Sequence, residues 1–121
     1  MSKSAQSVYY FGIYLLINGL SLLVMPNMIL GMSGLPPTDE VWVRLAGMLV
    51  LFIGVYYIVA GKNELTPIFK ISIFTRASVM VFFTVFVAMG WVGKPLLTFG
   101  LLDLLGAVWT YFALKKEGKL A

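Results

Sequence analysis

Residues 41–61 read VWVRLAGMLVLFIGVYYIVAG, a run with one charge, Arg44, and no proline. The hydrocarbon core of a bilayer is crossed by about 20 consecutive apolar residues in a helix. This run therefore reads as a membrane span, and it belongs to a longer segment, 40–61. Outward from it lie three segments of the same kind, 7–25, 67–90 and 95–114. Open sheet edges cannot sit in lipid, and four short spans cannot close a barrel, so strands are excluded. The expected fold is all-α: a transmembrane antiparallel four-helix bundle forming one domain over 1–121.

The punctuation between spans agrees. Pro26 stops the first. Pro36-Pro37-Thr38-Asp39 precedes the second, with Thr38 or Asp39 a natural N-cap. Gly61-Lys62-Asn63 ends it, Thr66-Pro67 starts the third, and Gly93-Lys94-Pro95 restarts the fourth. The first span lacks a small-residue cleavage site and exceeds an h-region, so it reads as retained. The loop 26–39 holds Met28, Ile29, Leu30, Met32 and Leu35, too apolar for a wet linker. It is expected to lie on the outer membrane surface as an interfacial lid.

Composition bounds the function. Apolar residues make up 60% of the 121 and charged ones 12%, with mean hydropathy +0.95. A soluble domain has about half apolar and a quarter charged, so a soluble enzyme is excluded. There is no cysteine and no histidine. Disulfides, thiolate metal sites, histidine-ligated haem and Ser-His catalysis are therefore excluded. The carboxylates Asp39, Glu40, Glu64, Asp103 and Glu117 are spread over both membrane sides and make no dedicated metal site. The net charge of +4 comes from lysines flanking the spans, not from a basic stripe, which excludes a nucleic-acid partner. Lys3, Lys62, Lys70, Lys115, Lys116 and Lys119 fall on one side and Lys94 alone on the other. By the positive-inside rule both termini are cytoplasmic.

Small residues recur every seven positions: Gly12 and Gly19; Gly47, Gly54 and Gly61; Gly93, Gly100 and Ala107. In lipid, burying leucine gains nothing over the acyl chains, so helices associate through small residues that let backbones approach. A period of seven fits left-handed packing near about +20°.

The residues that do not belong in hydrocarbon are Asn18, Arg44, Arg76 and Asp103. Charges at such depth face the bundle interior and mark functional sites. Counting along each span puts Asn18 and Arg76 near the midplane, Asp103 slightly above it and Arg44 in the outer third. The four are expected to meet in one outer-central cavity, with Arg76 and Asp103 a buried pair. Tyr14 lies four residues before Asn18, on the same face. Two arginines against one aspartate leave a surplus of +1. That surplus calls for an anionic lipid, a quinone-like oxygen or another amphipathic small molecule. Tyr14, Asn18, Arg44, Arg76 and Asp103 are the candidate ligand-binding residues. No nucleophile–base–orienter set is visible, so no catalytic residue and no cofactor is assigned, and the chain reads as non-enzymatic. The alternatives are a small dimeric transporter, or an accessory subunit of a membrane oxidoreductase. A homo-oligomer or partner subunit is compatible with either.

The run Val43-Arg44-Leu45-Ala46-Gly47, the later Gly54-Val55-Tyr56-Tyr57, then Thr75-Arg76, then Leu102-Asp103-Leu104-Leu105-Gly106-Ala107 resembles small four-span bacterial membrane proteins of the DoxX-like and BphX-like kind. The resemblance covers most of the chain in layout. It implies the bacterial cytoplasmic membrane, Arg44, Arg76 and Asp103 as site positions, and an accessory redox role. The lack of cysteine departs from any thiol-based version.

Overall fold

A computed structural model describes residues 1–120. Among these, all regular structure is helical: α1 (Lys3–Val24), α2 (Pro26–Met32), α3 (Val41–Lys62), α4 (Thr66–Ala88) and α5 (Leu96–Lys116). α1, α3, α4 and α5 are each long and apolar enough to cross a membrane. The chain is thus a small four-span membrane protein.

α1 begins four residues earlier than the apolar run, because the Ser2 side chain accepts from the Ala5 N–H at 3.1 Å and caps it. It ends at Val24 because Met25 precedes a proline and takes φ −129°, ψ 65°. The expected loop 26–39 is in part a helix: Pro26 opens α2 at a position where no N–H is needed. Gly34, at φ +76°, closes α2 in the left-handed conformation, and Leu35 N–H reaches back to the Leu30 carbonyl at 2.8 Å. Glu40, not Thr38 or Asp39, stands at the N-cap position of α3, without a side-chain capping bond, and the Thr38 hydroxyl accepts from Glu40 N–H.

The tightest seam lies between antiparallel α1 and α3. A methyl group on Gly19 would stand 2.8 Å from the Gly47 carbonyl oxygen. One on Gly54 would stand 2.9 Å from that of Gly12, and one on Gly61 2.9 Å from that of Ala5. The two heptad rows therefore face each other position by position, backbone on backbone. The third row behaves differently. Gly93 lies outside the helices, while Gly100 meets Met80 and Phe83 of α4. α4 and α5 form a second antiparallel pair, joined to the first mainly where α5 lies against α1. α3 and α4 scarcely touch.

The fully enclosed core, Ala5, Val8, Ala60, Phe69 and Leu114, sits at the end of the bundle that carries both termini. That end is also clasped by polar groups. Glu64 takes the Ser2 N–H at 2.8 Å and the Ser2 hydroxyl at 2.7 Å. Glu117 takes the Ser4 N–H at 3.1 Å and the Ser4 hydroxyl at 2.5 Å. Lys119 lies 4.0 Å from Glu64 and 3.5 Å from Glu117. Carboxylates here meet the unsatisfied donors at the positive end of α1. Glu64 adopts φ 52°, a conformation costing a side-chain-bearing residue about 1–3 kcal/mol, and holds it as the turn from α3 into α4.

Replacing Gly19 by valine should cost at least about 1–3 kcal/mol, because the seam has no room to relax. Gly31→Ala, with nothing within 4 Å of the new methyl, should gain roughly 0.5–1 kcal/mol. Thermal unfolding in mild detergent reads both. The Ser2 bonds hold Glu64 below its ordinary value of 4.5. At Glu117, burial pushes upward but the Ser4 bonds and Lys119 outweigh it, leaving the group lowered as well. A carboxylate depressed by folding stabilises the fold above its unfolded value and ceases to as pH falls through the folded one. Unfolding temperature should therefore be level above about pH 5 and decline below it. The decline should be shallower in Glu64→Gln.

Candidate functional site

The five candidate residues divide into three groups. Tyr14, Asn18 and Asp103 share a cavity of about 430 Å³ bounded by α1, α3, α5, Phe83 of α4 and, as its cover, α2. The cover contributes Ile29 and Leu30, with Ser33 and Leu35 just beyond it; Trp42 and Ala46 of α3 stand opposite. The walls are otherwise apolar, so these three side chains, with Ser33, supply the polarity.

Arg76 lies deeper, in a second cavity of about 470 Å³. α3 contributes Val50, Ile53 and Tyr57 to it, and α4 contributes Thr75, Val79 and Phe83. It is the space left where these two helices fail to pack. Leu15, Val50, Phe83 and Asp103 line both cavities, so Asp103 stands in their common wall.

Arg44 joins neither cavity. It is exposed, and its Nη1 donates to the Leu23 carbonyl at 2.5 Å. Its place near the start of α3 lets the long side chain lie along the surface and reach the end of α1. The expected meeting of all four residues does not occur, and the surplus of one positive charge disappears with Arg44. One arginine and one aspartate remain.

Nor are those two paired. Among the described residues the only ion pairs within 4.0 Å are those of Lys119. Arg76 is 2% exposed and is solvated by hydroxyls instead. Its Nε donates to the Ser72 carbonyl at 3.2 Å, and Nη2 donates to Ser72 Oγ at 2.9 Å and Thr110 Oγ1 at 2.8 Å. Ser7 Oγ lies 2.6 Å from Thr110 Oγ1 and gives its own proton to the Ser4 carbonyl at 2.6 Å. The Thr110 proton must therefore point to Ser7. Ser72 and Thr110 turn their oxygens toward the guanidinium and Ser7 orients Thr110, which is how a buried cation is stabilised without an anion. The Phe11 and Tyr57 rings add their faces at 4.9 and 5.7 Å. Nη1 is left over. It is the one buried side-chain nitrogen or oxygen among the described residues without a partner. Gly106 makes room beside it, since a methyl there would sit 3.2 Å away.

Sequence reasoning missed Ser7, Phe11 and Gly106. The signal was present in α1: Ser4, Ser7, Phe11, Tyr14 and Asn18 follow helical spacing and form one polar-aromatic face next to the glycine row. Neither a protein-family model nor a curated protein nor a solved structure matches the chain.

Thr110→Val keeps the shape but takes one of the two oxygens that Arg76 Nη2 uses, and should cost about 1–3 kcal/mol. Asp103→Asn should cost far less than the roughly 3–5 kcal/mol lost when a buried ion pair is broken. Paired unfolding measurements separate the two, and a large loss in Asp103→Asn would mean that the charges do pair.

Proposed function

We propose that the chain is a non-enzymatic integral membrane module that binds an amphipathic small molecule between its helices. The observation that carries this reading is the cavity beneath α2: about 430 Å³, apolar on nearly every side, with Tyr14, Asn18 and Asp103 converging on it. Small-molecule sites have this size and this sparse placing of polar groups in apolar walls. The polar residues also sit at depths where an unused one is a standing cost. No base stands next to a nucleophile in either cavity, which favours binding over catalysis. The sequence runs around Arg44, Arg76 and Asp103 support a place among DoxX-like and BphX-like proteins of the bacterial cytoplasmic membrane. The lysine asymmetry supports cytoplasmic termini, which a reporter fused after Lys119 and active only in the cytoplasm would check.

Native mass spectrometry of protein extracted in mild detergent tests the reading. A retained small-molecule adduct is expected in the wild type. It should fall at least about tenfold in Ala46→Trp, which fills the cavity from α3, and in Asn18→Leu, which removes a polar contact. A wild type free of any adduct would overturn it.

A further inference from the structure

Arg76 and Asp103 face the same cavity between α3 and α4, yet neither satisfies the other. Arg76 is 2% exposed, and its Nη1 has no acceptor among the described residues. An orphaned donor on a buried guanidinium is expensive, and guanidinium nitrogens seek oxygen. Asp103 brings only acceptors, so it asks for a donor. The rest of the wall is Phe11, Leu15, Val50, Ile53, Val79 and Phe83, with Tyr57 and with Thr75, whose hydroxyl is turned to the Ser72 carbonyl. Because α3 scarcely touches α4, the cavity is reached from the side of the bundle, and Ile53 on its rim is exposed. In a membrane that side is lipid.

We infer that this cleft takes, directly from the bilayer, a neutral lipophile whose head carries both a hydrogen-bond acceptor and a donor, the acceptor going to Arg76 Nη1 and the donor to Asp103. The inference deepens the proposed function, rests on it, and names the class of ligand. Neutrality follows from the charges: with Arg44 elsewhere, one cation and one anion remain, and a charged head would leave one of them facing its like. A carboxamide or a hydroxy-carbonyl group has the required pair of functions. The shared wall at Asp103 lets the rest of the molecule lie under α2.

Three probes with the same acyl chain separate the possibilities by native mass spectrometry: oleamide, methyl oleate and oleate. Oleamide has acceptor and donor, methyl oleate has the acceptor alone, and oleate is an anion. In the wild type oleamide should be retained at concentrations about tenfold lower than either of the others. Arg76→Met and Asp103→Leu should each remove that preference, whereas Asp103→Asn, which keeps an acceptor oxygen, should preserve it. Val79→Trp leaves both polar groups in place and fills the cleft, so it answers even if Arg76→Met does not fold. It should abolish oleamide retention without lowering the unfolding temperature. Equal retention of all three probes, or a preference for oleate, would overturn the inference. So would oleamide retention that survives Val79→Trp but is lost in Ala46→Trp, which would leave the proposed function standing and confine the ligand to the cavity under α2.

Discussion

Lipid offers a leucine side chain nothing that a neighbouring helix does not offer as well, so this bundle is held where backbones touch. The contacts Gly19–Gly47, Gly12–Gly54 and Ala5–Gly61 are the clearest expression of that constraint. A seam this close commits α1 and α3 to each other. α4 and α5 then form their own pair against Met80, Phe83 and Gly100. Two pairs joined chiefly through α1 and α5 leave α3 and α4 apart. The cleft is thus a product of where the glycines are, and it lies mid-bundle, with Tyr57 between it and the enclosed core.

Solvation of Arg76 follows from the same geometry. Gly106 brings α5 close enough for Thr110, one turn further on, to reach the guanidinium, while Ser72 approaches from its own helix. Hydroxyls serve here because each gives up a lone pair while sending its proton onward: Ser72 to the Phe69 carbonyl, Thr110 to Ser7, which donates in turn to the Ser4 carbonyl. A carboxylate in that position would have neutralised Arg76. Oriented dipoles leave its charge in place and its last nitrogen free.

Much of the architecture was legible in the sequence because span length and small-residue spacing are one-dimensional properties. Gly12, Gly19, Gly47, Gly54 and Gly61 mark the seam by number alone. What a sequence does not carry is the rotation of each helix about its axis. That rotation turns Arg44 out to the Leu23 carbonyl, brings Gly106 against Phe11 and Arg76, and sets Asp103 off from Arg76. Depth along the span sets Asn18, Arg76 and Asp103 at similar levels and helical spacing joins Tyr14 to Asn18, but Tyr14, Asn18 and Asp103 line one cavity while Arg76 lies in the next. α2 was hidden because a seven-residue helix opening on a proline and rich in methionine lacks a periodic signal.

A heptad seam has a further property. Slide α1 along α3 by seven residues and Gly12 falls against Gly61 and Gly19 against Gly54, so two of the three close contacts re-form. The glycines alone specify the alignment only modulo one heptad, like a ruler with identical marks. The phase is fixed at the end, where Ser2 meets Glu64 just past α3, while Ser4 on Glu117 sets α1 against α5. Glu64 acts as an index pin: it adds little to the grip of the helices, but it decides which of the seam's repeats is used.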